Sequence, residues 1–214
     1  MLQILFSFFV LFQDVDVLLA KAEKDLTTGR SVSEVLTDKA YQSIHSNSSF
    51  RNLVKRHAKA ERISISAASE PGTRMTVSGK LEARGNVGGL LVYVYQTDNR
   101  GWYSQDAPHI LMQEGDRGHA RLFGYLLTST DGSFEFETIH PQGYPNSNLP
   151  QHVHLEVFER GSGRNLIVTE LLFRDDARLK GNVLEQATRD RFFISKNEGT
   201  RDREAYRYVI KLHE

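Results

Sequence analysis

The chain contains no cysteine, and this absence removes several classes of function at once. Disulfide scaffolds, thiolate zinc sites and cysteine nucleophiles all need the missing side chain. Any metal ion in this protein must therefore be bound by histidine, tyrosine, aspartate or glutamate. The lack of cysteine does not determine the cellular compartment.

An excess of charge of either sign is also missing, because 27 Lys and Arg residues balance 27 Asp and Glu residues. No dense basic patch is interleaved with aromatic residues, so a nucleic-acid-binding function is not expected. The 214 residues are enough for one ordinary domain with a sizeable hydrophobic core.

Long hydrophobic runs are scarce, and the most apolar run lies at residues 2–12. It is shorter than the ~20 residues that a membrane-spanning helix needs, so no stable span is expected. Its length is typical of a signal-peptide core, and the small residue Ala20 follows, but no Lys or Arg precedes it and Asp14 and Asp16 come soon after. Two interpretations of residues 1–20 stay open, a cleaved export signal and a buried N-terminal helix, so the location is either exported or cytoplasmic.

The next segment, residues 21–70, is polar and is interpreted as an N-terminal arm, helical or loose in structure. Within it, residues 49–63 are typical of a short helix with Leu53 and Val54 facing inward. His45 and His57 have no partner at a ligand spacing, so both are predicted to lie at the surface.

From about residue 75 the pattern changes to short alternating strands. Strands are predicted at 75–83, 90–98, 120–129, 133–139, 152–159, 165–173 and 205–214. The turns at 130–132 and 160–164 predict two hairpins. Strands of this length and spacing indicate an all-β sandwich or barrel for residues 71–214.

Two histidines, His152 and His154, stand one residue apart on a predicted strand. Side chains at positions i and i+2 of a strand point to the same face, so both could reach one metal ion. Imidazole suits several transition metals, so this pair alone identifies none. Taken alone, such a pair is more often simple packing.

Two tyrosines stand at turns close to this pair. Tyr144 lies before Pro145, just upstream of the histidine strand, and Tyr103 follows the turn after the strand predicted at 90–98. A phenol with a pKa near ~10 is a poor ligand for divalent ions, whereas a hard trivalent cation stabilises a tyrosinate. Two tyrosinates and two neutral histidines would suit Fe(III), although packing at a sheet edge also explains both tyrosines.

The stretches LLVYVYQTDNRGWYS, TSTDGSFEFETIHPQGYP and LPQHVHLEVF occur in this order. Together they resemble the intradiol ring-cleavage dioxygenases, which include protocatechuate 3,4-dioxygenase and catechol 1,2-dioxygenase, over roughly residues 71–179. The resemblance implies a β-sandwich core and non-haem Fe(III) bound by Tyr103, Tyr144, His152 and His154.

The resemblance also implies a reaction and a role for one tyrosine. Tyr144 would leave the iron when a catechol binds and would help to take up its proton. The reaction would be O2-dependent cleavage of an aromatic diol between its hydroxylated carbons. Family members often assemble through their N-terminal arms, so a homo-oligomer is possible.

Two positions depart from the family's pattern. Leu149 stands where the family carries an arginine, and Glu170 stands where the family tends to carry glutamine. Without the arginine, Arg117, Arg121 or Arg164 could supply positive charge near the substrate. Glu170 could act as a base, pair with an arginine or repel an anionic substrate, so it is a second candidate catalytic residue.

Two other classes of function stay open. A cupin-type metal oxygenase would combine the histidine pair with Glu156, two residues beyond His154, but would leave both tyrosines without a role. A transthyretin-like or carbohydrate-associated sandwich would keep the fold as a binding module, catalytically weak or inactive.

Four further residues are weaker candidates for the site. His109 and His119 could touch it, and Trp102 could line its mouth. His140, before Pro141, is predicted to have a structural role.

Overall fold

The computed structural model describes residues 2–105 and 115–212, with side chains from residue 15 onward. The helices in these ranges span Leu2–Thr27 (α1), Val32–Thr37 (α2), Ser48–Arg56 (α3) and Gly181–Arg189 (α4), with 3-10 helices at Lys39–Ile44 and Gly115–Gly118. The strands span Arg62–Ser64 (β1), Arg74–Glu82 (β2), Leu91–Gln96 (β3), Leu122–Leu127 (β4), Ser133–Ile139 (β5), His152–Phe158 (β6), Asn165–Phe173 (β7), Phe193–Ser195 (β8) and Arg203–Lys211 (β9).

The strands form two sheets, which confirms the predicted all-β sandwich. One sheet has the order β1-β5-β2-β9, and the other has the order β4-β3-β6-β7-β8. Strands β2, β5 and β9 bury alternate side chains, while β3 is buried along its whole length. The buried side chains of both sheets join one apolar cluster, which is why the sequence shows a period of two.

The N-terminal region is helical and packs against the sandwich. Leu53 and Val54 of α3 are buried in the common core, as predicted. The helix ends at Arg56, earlier than expected, and Arg62–Ser64 instead pairs in parallel with β5.

Helix α1 continues through residue 20 without a break. The predicted boundary there is therefore not a boundary of secondary structure. No helix in the described part of the chain combines the length and apolarity needed to cross a membrane. Cleavage near Ala20, export and assembly through the arm stay predictions.

One of the two predicted hairpins is wrong. Strand β4 pairs with β3, whereas β5 lies in the other sheet between β1 and β2. The turn between them is tight, with Gly132 at a φ of +84° and its N–H donating to the carbonyl of Ser129 at 3.0 Å. This turn carries the chain from one sheet to the other, so each strand finds its partners elsewhere. The second hairpin, between β6 and β7, is confirmed.

The prediction that His45 lies at the surface is also wrong. Its ring stacks on Phe50 at 5.3 Å between centroids and meets the edge of Phe123. Its Nδ1–H donates to the carbonyl of Arg121 at 2.7 Å. Burial lowers the pKa of His45 to about 4, so the ring is neutral at pH 7.

We expect the free energy of unfolding to fall as the pH drops below about 6.5, because the unfolded chain then binds a proton at His45. The folded protein resists this proton until the pH nears about 4. The slope from this one group reaches ~1.4 kcal/mol per pH unit. Urea unfolding of the wild type and of His45→Gln from about pH 4 to pH 7 measures it, since other groups contribute to both proteins. Parallel pH profiles would contradict the assignment.

Candidate metal centre and its cavity

The two tyrosines lie on loops at the end of the sandwich where β3 and β5 finish and β6 begins. Tyr103 follows β3, and Tyr144 follows β5. Asp98 ties the loops together, because its Oδ1 accepts from the N–H of Trp102 at 3.1 Å and its carbonyl accepts from the N–H of Gln142 at 3.0 Å. Asp98 thus stabilises the loop that carries Tyr103 and also holds the loop that carries Tyr144 beside it.

The two histidines occupy the start of β6, and each ring is held by a separate contact. His154 lies beside Tyr95 of β3 and Glu170 of β7 in the strand register. Tyr95 stacks on it at 4.4 Å between centroids, and Oε1 of Glu170 lies 3.4 Å from its Nδ1. His152 donates from Nδ1 to the carbonyl of Pro150 at 2.8 Å. A carbonyl only accepts, so Nε2 of His152 keeps its lone pair.

The four predicted metal ligands converge on one point. The hydroxyl of Tyr103 lies 2.5 Å from that of Tyr144 and 2.7 Å from Nε2 of His154. The hydroxyl of Tyr144 lies 2.8 Å from Nε2 of His152, and the two Nε2 atoms are 3.1 Å apart. Ligand atoms about 2 Å from a shared ion lie roughly 3 Å apart, so this spacing fits one metal ion.

The electrostatics of these groups favour a strongly charged ion. Burial raises the pKa of Tyr103, and the neighbouring Tyr144 raises it further. Burial likewise raises the pKa of Tyr144. Burial lowers the pKa of His154 to about 3, so its ring is neutral. The neutral imidazole of His154 beside phenols that resist ionisation fits a hard trivalent cation, whose charge can hold tyrosinate.

A cavity of about 490 Å³ adjoins this cluster. Tyr144 and His152 line it, whereas Tyr103 and His154 do not. Helix α4 contributes several lining residues to the wall that faces them. The sequence analysis did not predict α4, although the apolar spacing of Val183, Leu184 and Ala187 is typical of a helix.

A comparison with known families identifies the family of this chain. The family model Dioxygenase_C, described as "Dioxygenase", matches residues 49–214, which is more than half of the chain. The chain belongs to the intradiol dioxygenase family. The resemblance read from the sequence motifs is therefore confirmed.

Individual relatives of this chain are distant. It is 29% identical over 91 residues to catechol 1,2-dioxygenase of Candida albicans, a match that covers 35% of this chain and 28% of that protein. The structure of catechol 1,2-dioxygenase from Pseudomonas arvilla C-1 aligns with a TM-score of 0.53 at 20% identity, covering 72% of this chain and 56% of that one. An intradiol ring-cleavage dioxygenase from Tetranychus urticae aligns with a TM-score of 0.53 at 17% identity, covering 73% and 87%. At these identities the structural matches concern the fold.

The three arginines considered as substitutes for the missing cation have other partners or lie elsewhere in the fold. Arg117 pairs with Glu156, its Nε lying 2.5 Å from Oε1. Arg121 is buried and pairs with Glu70 at 2.6 Å. Arg164 lies on the turn at the opposite end of β6 from the histidines.

Arg178 lies closer, and the sequence analysis missed it. Its Nη1 donates to the carbonyl of Leu149 at 3.4 Å. The same atom would lie 1.9 Å from a Cβ placed on Gly143, the residue before Tyr144. The protein thus has a guanidinium against Leu149, but this group comes from the segment between β7 and α4 and not from the residues just before β6.

The carboxylate of the cupin-type alternative is engaged elsewhere. Glu156 is buried and bonded by Arg117. The carboxylate near the histidines is Glu170, whose oxygen lies within 4.8 Å of a nitrogen of both His152 and His154. Glu170 also lines the cavity.

The weaker candidates that lie in the described part of the chain do not join the centre. Nδ1 of His140 pairs with Glu204 at 2.6 Å, a contact that agrees with a structural role. His119 lines a different cavity, and Trp102 packs under Arg100 without lining the cavity beside Tyr144. His109 lies outside the described residues.

Proposed function

We propose that this intradiol dioxygenase is a non-haem Fe(III) enzyme that cleaves the ring of a catecholic diol between its two hydroxylated carbons. The observation that carries the proposal is the convergence of two phenol oxygens and two imidazole nitrogens at the wall of a cavity. Both atoms of O2 enter the product, and the two hydroxylated carbons become the carboxyl carbons of a muconate-type diacid.

The proposed ligands are Tyr103, Tyr144, His152 and His154. When bound, ferric iron supplies a Lewis acid and a template for the diol and O2. The chain's own contribution is to fix the ligand rings before the diol arrives. The stacking of Tyr95 on His154 and the bond from His152 to the Pro150 carbonyl support this role.

The two tyrosines are proposed to have different roles because their access differs. Tyr144 lines the cavity, whereas Tyr103 is 1% exposed and lies behind it. An entering diol meets Tyr144 first. In the iron-loaded site, where the metal charge would hold Tyr144 as tyrosinate, the oxygen of Tyr144 would be placed to take a proton from the diol hydroxyl. Glu170, on the same wall, is the second proposed catalytic residue and orients the ring of His154 through Nδ1.

The visible spectrum of the iron-loaded protein tests this proposal. We expect a red-brown tyrosinate-to-iron absorption band that weakens strongly in Tyr103→Phe and in Tyr144→Phe and shifts when a catechol is added. Tyr208→Phe is the matched control, because that hydroxyl is buried without a hydrogen-bond partner among the described residues. Iron content and O2 uptake with a panel of diols complete the measurement.

Each outcome has a distinct meaning. A colourless protein after ferric loading would contradict the metal assignment. A coloured protein that binds catechols but consumes no O2 would favour the alternative, a catalytically inactive metal-binding module of the same fold. Equal loss of colour in Tyr208→Phe would show that the effect is not specific to the two proposed ligands.

A further inference from the structure

The cavity beside Tyr144 is larger than an unsubstituted catechol needs. Its volume of about 490 Å³ lies within the ~300–1,000 Å³ typical of pockets that hold drug-sized ligands. A diol whose hydroxyls face Tyr144 therefore leaves most of this space to the group that its ring carries. The side chains around the space indicate the chemistry of that group.

Apolar side chains from several elements line the space. They come from the segment before β6, from β7, from α4 and from the residue before β8, and they are Leu149, Pro150, Leu172, Val183, Ala187 and Phe192. Leu172 and Ala187 are buried in the small core under α4, and Val183 and Phe192 pack against that core. This apolar lining is therefore held in place by packing before any ligand arrives.

The polar residues that α4 and its C-terminal end contribute to the lining are exposed and bind one another. Nη2 of Arg189 donates to Oε1 of Gln186 at 2.7 Å, and Nε2 of Gln186 donates to Asp190 at 2.8 Å. All three residues lie at the protein surface. The charges of Arg189 and Asp190 cancel, so this polar group adds no net charge to the cavity.

Two further charges lie near the cavity, and they are also of opposite sign. Glu170 lines it at the reacting end, with Oε1 3.4 Å from Nδ1 of His154. Arg178 lies outside the lining, with Nη1 3.4 Å from the carbonyl of Leu149. The formal charges of the described residues around the cavity thus balance. They favour neither a cationic nor an anionic substituent on the diol.

Leu149 is the lining residue with the most apolar surface to gain from a ligand. Its side chain is 53% exposed. The other large apolar side chains that are exposed in the described part of the chain, Val17, Val168 and Val209, do not line this cavity. A ligand that covers Leu149 removes apolar surface from water, which is favourable in proportion to the area covered.

We propose that this cavity selects catecholic diols that carry an uncharged apolar substituent, such as a short alkyl chain, and that Leu149 determines this specificity. The inference rests on the proposed function, because it takes the diol hydroxyls to face Tyr144. The substituent packs between Leu149 and the apolar side of α4 and removes both from water.

A homologous series of diols tests the selection: 4-methylcatechol, 4-ethylcatechol, 4-propylcatechol and 4-butylcatechol. Their dissociation constants are measured by calorimetry on the full-length, ferric-loaded protein without O2, with the shift of the visible band as a second readout. We expect each added methylene to tighten binding about threefold, so the butyl compound should bind about 30-fold more tightly than the methyl compound. The heat-capacity change of binding should become more negative along the series.

Charged diols of matched length show whether the substituent site is apolar. 4-(2-Aminoethyl)catechol matches 4-propylcatechol in length, and 3-(3,4-dihydroxyphenyl)propanoate matches 4-butylcatechol. Each charged diol should bind about tenfold more weakly than its neutral counterpart, because its charge loses hydration in the cavity without gaining a partner.

A matched pair of variants assigns the selection to Leu149. Leu149→Gln should reduce the butyl-to-methyl affinity ratio from about 30-fold to about tenfold, because one apolar side of the cavity becomes polar. Val168→Gln places the same polar side chain at an exposed apolar position of β7 that does not line the cavity, so its ratio should equal that of the wild type. Both positions are exposed, so both variants should fold.

The failure of this inference and the failure of the proposed function give different results. If iron and 4-methylcatechol bind but affinity does not rise along the series, or a charged diol binds more tightly than its neutral counterpart, the apolar selection is overturned and the iron site stands. An affinity ratio in Leu149→Gln equal to that of the wild type overturns the role of Leu149. If iron or 4-methylcatechol fails to bind, the proposed function is overturned, and this inference with it.

Discussion

Replacing His154 with alanine is expected to abolish ferric iron binding while leaving the protein folded. Nε2 of His154 lies 2.7 Å from the hydroxyl of Tyr103 and 3.1 Å from Nε2 of His152, so its loss removes one of four converging ligand atoms. Loss of a group that merely supports a ligand weakens metal binding by ~10–100-fold, so loss of the ligand itself should exceed about 100-fold. Iron content after dialysis and the intensity of the visible band measure the effect.

The fold should survive because the imidazole is a partly exposed polar group and not an apolar part of the core. Burial lowers its pKa to about 3, which shows how poorly its charged form is solvated there. His57→Ala is the matched control, since His57 lines a different cavity. Urea unfolding of each variant separates loss of metal from loss of structure. A folded His154→Ala protein that retained one iron and the full band would exclude His154 as a ligand.

Much of the convergence of the four candidate ligands could be predicted from the sequence, because parts of it follow local rules. The period of two along a strand places His152 and His154 on one face, and the structure puts their Nε2 atoms 3.1 Å apart. The glycine and proline residues close to Tyr103 and Tyr144 in the sequence predicted the turns that carry these two tyrosines. The two phenols meet at 2.5 Å. This contact could be expected only from the order of the motifs in the family, because no local rule relates residues 41 positions apart.

Long-range partners account for what the sequence did not predict. A tight turn with Gly132 at positive φ is compatible with a hairpin and with a crossing between sheets. The pairing of β3 with β4 and of β2 with β5 determines that this turn crosses between the sheets. The burial of His45 could not be predicted from neighbouring residues, because its hydrogen-bond acceptor, the carbonyl of Arg121, lies 76 residues further along the chain.

The residues around the cavity were also not predicted from the sequence, because they depend on long-range contacts. Arg178, Arg189 and Asp190 reach the site from the segment between β7 and β8, where the sequence analysis placed no element. Their position depends on α4 folding back over the cluster, and its small apolar core includes Leu172 of β7.

Substituting Gly101 with alanine is expected to destabilise the protein by about 2–4 kcal/mol and to separate the two tyrosine loops. Gly101 has a φ of +80°, and a Cβ there would lie 2.3 Å from the carbonyl oxygen of Gly143 and 3.1 Å from Cδ of Pro145. The clash is against backbone next to Tyr144, so one loop must move away from the other. The free energy of unfolding from urea titration and the ferric absorption band measure the two consequences.

Gly163→Ala separates the clash from the backbone strain. Gly163 has a similar φ of +70°, but nothing lies within 4 Å of an added Cβ. Its substitution should therefore cost only the ~1–2 kcal/mol of a left-handed alanine and leave the iron band unchanged. The difference between the two variants measures how tightly the loops of Tyr103 and Tyr144 are held together. If Gly101→Ala were no more destabilising than Gly163→Ala and kept the full band, the contact between the loops would not be what positions the two phenols.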